Sequence, residues 1–187
     1  RITGEVLNKT KGSTESEKDL FQFPAYLTVD GKGSLYVSDM LAGRVQVFDS
    51  TLKFVKNIGY PGDTFGAFAR PRGVAVDSAG YIYVVDAAFE NVQIFTPEGE
   101  MVLYFGGPGT FPGAMYLPAG ISISYNDLDV LSPFIDERFE IEYAIFVANQ
   151  YGPNGISIYA FGQGKEGYFE KSNKPTTVID TVKSDTK

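Results

Sequence analysis

The chain has 187 residues, of which 43% are hydrophobic, and a net charge of −7. This length and apolar content suit one domain with a sizeable core, and the negative charge argues against binding to nucleic acid. The chain contains no Cys and no His, which excludes disulfides, thiol nucleophiles, covalently attached haem, Cys/His zinc sites and His-based acid–base catalysis by this chain alone.

The first 20 residues are predicted to combine the end of a strand with a polar linker. The opening RITG is similar to the NIG and YFG that close the two repeats described below, and the polar stretch EVLNKTKGSTESEKDL follows it. We therefore expect residues 1–20 to hold the end of a preceding blade and a linker. No run of 18 apolar residues occurs in the chain, so we expect no insertion into a membrane.

The segment from 21 to 59 recurs, without a gap, as the segment from 68 to 106. Of their 39 aligned positions, 13 are identical, and Pro24 aligns with Pro71. In each copy, four short stretches alternate with period two, and turn sequences that contain Gly, such as DSAG and TPEGE, separate them. Four short antiparallel strands in about 40 residues describe one blade of a propeller.

A third copy begins at Pro118 and resumes at 143–162, after an insertion at 125–143. The sequence therefore predicts a third blade over residues 115–162. Its fourth strand is not obvious, and the candidates are EGYFEKS and TTVIDTV in the polar tail, 163–187. An exposed strand edge at this blade would favour pairing with a partner.

The second copy carries the fullest form of the pattern, P-x-G-x-A-V-D-x-x-G-x-I-Y-V-x-D, then V-Q-I-F-x-x-x-G and a closing F-G. This pattern resembles the NHL repeat. The first copy departs from it with Tyr26 at the Gly position, and the third departs most, with Ser124 and Asn149 at the two Asp positions. The resemblance covers residues 21 to 162 and implies an all-β fold of three four-stranded antiparallel blades.

Three blades are fewer than a ring needs. A propeller closes with roughly four to eight blades, and NHL-like propellers are often six-bladed, so the resemblance implies half of a six-bladed ring. We expect a protein partner, a second copy of the chain or a missing N-terminal half to supply the rest. A fragment of a longer protein explains the pattern equally well.

Asp39, Asp86 and Asn149 occupy one repeat position, at the end of each predicted second strand. Oxygen ligands that converge there would suit Ca²⁺, and related six-bladed propellers include metal-dependent lactonases and an amidating lyase. The alternative is that each side chain caps its turn by accepting backbone N–H bonds. Repetition in every blade favours the cap, and the absence of His removes the ligands that the lyase would need. We therefore expect no cofactor, with Ca²⁺ as the alternative.

The insertion, YNDLDVLSPFIDERFEIEY, breaks the repeat and is strongly acidic. Alternation of Phe139 and Ile141 with Glu140 predicts an extension of the second strand, and SPF predicts one helical turn with Ser132 as its cap. Docking of a basic partner and a solvated hairpin that shields the blade edge are equally compatible with this composition, and a weak cation site is a further possibility. The candidate partner-binding residues are Phe134, Asp136, Glu137, Phe139, Glu140 and Glu142.

Arg70 and Arg72 flank the start of the first strand of the second copy, where the mouth of a propeller channel lies. They are candidates for binding an anionic ligand. Ion pairs with acids on neighbouring blades are the favoured alternative.

Two functions from different classes fit these features. The favoured one is a non-catalytic scaffold that binds partner proteins in an extracellular or periplasmic location. The long insertion followed by VANQYGPN is similar to bacterial exported proteins, some of which accompany multihaem cytochromes, although this chain carries no haem itself. The alternative is half of a metal-dependent hydrolase or lyase with an axial Ca²⁺ site. An RNA-binding NHL domain would need more basic residues than this chain has.

Overall fold

A computed structural model of the protein describes residues 20–165. The first eight strands form two four-stranded antiparallel sheets in chain order. Blade one consists of β1 (Pro24–Val29), β2 (Leu35–Asp39), β3 (Arg44–Phe48) and β4 (Phe54–Ile58). Blade two consists of β5 (Pro71–Val76), β6 (Ile82–Asp86), β7 (Asn91–Phe95) and β8 (Met101–Gly106). The predicted all-β fold with propeller blades is confirmed.

Blade three has three strands within the described residues, rather than the four that the repeat predicts. They are β9 (Pro118–Ser124), β10 (Phe139–Asn149) and β11 (Ile156–Gly164), in the spatial order β11, β10, β9. The two predicted fourth strands lie outside residues 20–165, as does the linker over residues 1–19. β10 is longer than β2 and β6 because it includes the end of the insertion, as the alternation there predicts.

In blades one and two, the turn between the first two strands is built by one aspartate and one glycine. In blade two, Asp77 Oδ1 accepts N–H bonds from Ala79 at 2.9 Å and Tyr81 at 2.8 Å. Gly80 follows with φ 94°, a left-handed conformation that glycine adopts without steric cost. Blade one repeats the arrangement with Asp30. The two aspartates are therefore turn formers.

The blades stack face to face around their first strands. β1 packs against β5, and β5 packs against β9. At Gly73 the two backbones come so close that an added Cβ would lie 2.8 Å from the Ala119 carbonyl oxygen. Only glycine fits such an approach. Two apolar clusters fill the spaces between the blades, one between blades one and two and the other between blades two and three.

The insertion forms a 3₁₀ helix, Leu128–Phe134, which we call the insertion helix. It starts four residues before Ser132, so the predicted cap at Ser132 is wrong. Asp127 precedes the helix in a left-handed conformation, and Pro133 lies inside it. The reason for the earlier start is packing, because Leu128 and Leu131 contact blade three. Within residues 20–165, no helix has the length and apolarity that crossing a membrane requires.

In blades one and two, a tyrosine on the second strand donates to the turn aspartate of its own blade. The Tyr36 hydroxyl donates to Asp30 Oδ2 at 3.2 Å, and the Tyr83 hydroxyl donates to Asp77 Oδ2 at 3.1 Å. Burial, together with the Asp30 carboxylate, raises the pKa of Tyr36 to about 12. Burial also raises the pKa of Tyr83. Both hydroxyls therefore hold their protons more tightly than an unfolded chain would.

We predict that this pKa difference makes the protein unstable in alkali. The stabilisation is complete below the ordinary tyrosine pKa of 10 and is lost as the pH rises through about 12. Urea unfolding at several pH values should show a falling free energy across this window. Tyr36→Phe should flatten the fall, whereas Tyr151→Phe, at an exposed tyrosine, should leave it unchanged. Equal slopes in all three proteins would contradict the assignment.

Candidate partner-binding surface

The contact between blades one and two shows which side chains line a buried blade face. Blade two turns one apolar side toward blade one, and we call this side of a blade its leading face. Blade one meets it with the opposite side, which we call the trailing face. The leading face of blade two consists of Phe68, Val74, Val76, Ile82, Val84, Phe95 and Met101. The trailing face of blade one consists of Tyr36, Val45, Val47 and Ile58.

Blade one has a leading face of its own with the same chemistry. Counting back 47 residues from each leading-face residue of blade two gives an apolar residue every time. These residues are Phe21, Leu27, Val29, Leu35, Val37, Phe48 and Phe54. The aromatic pair of this face also recurs, because the Phe21 and Phe48 rings lie 5.9 Å apart and those of Phe68 and Phe95 lie 5.4 Å apart.

The leading face of blade one is open at Leu27 and Val29 on β1, whereas Val37 and Phe48 of the same face are buried. Leu27 is 62% exposed and Val29 is 57% exposed, whereas Val74, the repeat partner of Leu27, is 1% exposed. β1 packs against β2 and β5, and among residues 20–165 no further strand or helix packs across Leu27 and Val29. Leu27 and Val29 are therefore two exposed aliphatic side chains on one side of β1.

The repeated residues at the strand ends bind backbone groups. Asp86 is fully buried and accepts N–H bonds from Ala69, Arg70, Ala88 and Phe89. Asp39 is also fully buried; it accepts from Gln22 and Phe23 and lies 3.5 Å from Arg44 Nη2. These contacts tie the segment before each first strand to the end of the second, which the sequence did not indicate.

Asn149 performs the same task in blade three with an amide. Its Oδ1 accepts from the Tyr116 N–H at 3.1 Å, and its Nδ2 donates to Asn154 O and Ser157 Oγ. The oxygens of all three residues are thus used by the chain itself. Across residues 20–165, no three Asp or Glu side chains are grouped as a metal ion would require. The contacts are those of structural caps.

The two candidate arginines do not form the ion pairs that were expected of them within residues 20–165. Arg70 is exposed and Arg72 is half-buried. The ion pairs formed within residues 20–165 join Arg44 to Asp39 and Arg138 to Asp136, so neither candidate pairs with an acid there. The Nε of Arg72 is buried without a hydrogen-bond partner. The expected pairing with neighbouring blades is therefore not formed in the part of the chain that the structure describes.

The structure brings four of the six insertion candidates around one cleft. Asp136, Glu137, Phe139 and Glu140 line a cleft of about 410 Å³ beside the insertion helix. Asp136 forms an ion pair with Arg138 at 2.6 Å, and the guanidinium partly neutralises the negative charge of this carboxylate. The other two candidates lie apart from it: Phe134 is exposed, and Glu142 accepts a bond from Gln163 at 2.8 Å.

Comparison with known proteins supports the fold. No protein-family profile and no curated protein matches the sequence. The structure is similar to hydrazine synthase of Kuenenia stuttgartiensis, with a TM-score of 0.54 and 18% identity, over 87% of this chain and 38% of that one. A streptogramin B lyase structure matches with a TM-score of 0.41 and 14% identity, over 72% of this chain and 39% of that one. The chain thus spans less than half of either protein, and the first likeness supports a propeller-type fold.

We predict that truncation at the same repeat position lowers stability strongly in blade two and little in blade one. Val74→Ala should lower the free energy of unfolding by about 2 kcal/mol, because it leaves a cavity between blades. Leu27→Ala should change it by no more than about 0.5 kcal/mol, because Leu27 is exposed. Urea denaturation of the two variants measures both effects. A large loss for Leu27→Ala would show that the free chain already covers its leading face.

Asp86→Ala is predicted to be strongly destabilising, by about 3 kcal/mol, because buried N–H groups lose a charged acceptor. Asp63→Ala, at an exposed acid, is the matched control and should have little effect. Thermal unfolding with and without added Ca²⁺ separates the two interpretations of this residue. A cap predicts the same melting temperature in both, and a rise with Ca²⁺ that Asp86→Asn abolishes would establish a metal site instead.

Proposed function

We propose that this chain is a non-catalytic scaffold of the NHL propeller type that binds a partner protein through the leading face of blade one. The observation that carries the proposal is the exposure of Leu27 and Val29 at positions that blade two uses to hold blade one. The face is therefore built for contact with another sheet.

Burial of Leu27 and Val29 by a partner would contribute a large free energy of association for a small contact area. Full burial of one aliphatic side chain contributes about 1.5–3 kcal/mol, and Leu27 and Val29 are neighbours on one side of β1. The aromatic residues below them, Phe21 and Phe48, already pack against one another. A partner would thus meet a preformed surface and would order few side chains on binding, which lowers the entropic cost of association.

The same interface indicates what the partner presents. Tyr36, Val45, Val47 and Ile58 of blade one cover the leading face of blade two. A partner that covers Leu27 should likewise offer a sheet face of β-branched and aromatic side chains. The resemblance of the repeat to exported proteins that accompany cytochromes supports an extracellular or periplasmic location. A multihaem cytochrome complex is accordingly the first partner to test.

We predict that a photoactivatable leucine analogue at position 27 forms a covalent adduct with one partner protein in the source cells. The analogue placed at Leu41, which is 64% exposed but lies at a turn away from the face, is the matched control. The expected result is an adduct from position 27, absent from position 41, whose cross-linked peptide maps to a β-strand of the partner.

Substitution at the neighbouring residue completes this test. Val29→Lys places a charge in the same face and should reduce the adduct from position 27 at least tenfold, because an unpaired buried charge opposes association. Val130→Lys, at an exposed residue of the insertion helix, should leave it unchanged. Equal adducts from positions 27 and 41, or none from position 27, would refute the proposal.

A further inference from the structure

The trailing face of blade three can be located from its strand pairing. In blade two, Tyr83 pairs with Ile94, and both belong to the trailing face that contacts blade three. In blade three, Phe146 pairs with Ile158 in the same way. Phe146 and Ile158 therefore belong to the trailing face of blade three. Ile156 belongs to it as well, because it lies two residues before Ile158 on the same strand. A following blade would place its leading face there.

The insertion helix already lies on this face. Leu131 of the helix is 7% exposed and packs with Ala144 of β10, which is fully buried. Phe146 and Ile158 pack against the same cluster. Two of the three trailing-face residues thus contact the chain's own insertion, while Ile156 at the other end of the strands stays exposed.

A bulge in β10 directs the insertion to this side. The strand register shifts between Ile141 and Tyr143, so that Ile141 joins the cluster under the helix while Tyr143 faces blade two. Opposite the bulge, Gly162 leaves no room for a Cβ beside the Glu140 backbone. The position of the helix is therefore built into the strand pairing.

We propose that the insertion helix is a cap that prevents a second copy of this chain from docking its leading face onto blade three. The inference rests on the proposed function, because it concerns the occupant of the same leading face. A second copy would offer Leu27 and Val29 to a trailing face that is already covered near Phe146 and Ile158. The occupant is therefore a different protein, whose trailing face carries no such cap. The apolar chemistry of that face is the one given above.

The two ends of the blade array then differ in what they accept. Blade one exposes Leu27 and Val29 of its leading face, and blade three offers a trailing face that is largely covered. A protein with both faces open would assemble head to tail, and such contacts form rings or open filaments. The cap leaves one docking direction and protects the chain from this self-association.

Removal of the cap tests the inference by light scattering. Leu131→Asp places a charge under the helix and should detach it, whereas Val130→Asp, one residue earlier and 67% exposed, should not. The wild-type chain and Val130→Asp should keep the monomer mass of 20.4 kDa. Leu131→Asp should rise to at least the mass of a dimer, and addition of Leu27→Glu should return it to the monomer.

A second variant covers the case in which Leu131→Asp does not fold. In it, residues 77–81, the turn of blade two, replace residues 124–144, which removes the helix and keeps a turn that the fold already uses. A folded, uncapped variant that stays monomeric would overturn the inference. Self-association of the wild-type chain that Leu27→Glu abolishes would also overturn it.

These outcomes are separable from those of the proposed function. An adduct at position 27 with a monomeric uncapped variant would support partner binding and reject the cap. Association of the uncapped variant without any adduct would support the cap and reject the partner.

Discussion

Face-to-face packing of twisted sheets is the interaction on which this structure depends. A blade is apolar on both sides, and neither side is satisfied until another layer covers it. Blade two is covered on both, and its residues Ile82, Val84, Val85 and Val92 are fully buried. The outer two blades each have one neighbour among the described residues. The exposed side chains of blade one and the insertion helix on blade three belong to the two remaining faces.

Buried polar groups of the fold support this packing. Asp86 accepts hydrogen bonds from backbone N–H groups where two strands end, so that these buried donors are satisfied. Tyr83 carries the polar network into the interface itself, because its hydroxyl contacts both Asp77 and the Tyr143 hydroxyl of blade three. A buried polar network of this kind favours one register of blade against blade. The same residue types therefore recur for structural reasons.

Local chemistry explains why so much of the fold was predictable. The repeat carries its strands, its Asp–Gly turns and its strand-end carboxylates within about 40 residues, and each of these is settled by contacts close in sequence. The partial burial of a face is not local. Leu27 and Val74 occupy the same position of the same pattern, and only the arrangement of the blades separates an exposed side chain from a buried one.

The wrong predictions also arise from contacts between residues that are distant in sequence. Ser132 has the residue type of a helix cap, but Leu128 and Leu131 pack on blade three and draw the start of the helix forward. The register shift at Ile141 reverses which residues face the blade, and alternation in sequence carries no sign of it. The expected ion pairs of Arg70 and Arg72 do not form within residues 20–165, where the Asp86 carboxylate accepts backbone N–H bonds instead.

Asymmetry between the two faces is the feature that the repeat alone would not give. A perfect repeat ends in two complementary faces, and the leading face of one copy would bind the trailing face of another. A chain that binds a partner without binding itself would need one end changed without loss of the core. The insertion meets this requirement because it enters at the turn before β10, outside the region where blade two contacts Ile145 and Val147. It adds a covering layer to one face, and its own Tyr143 adds a contact to blade two.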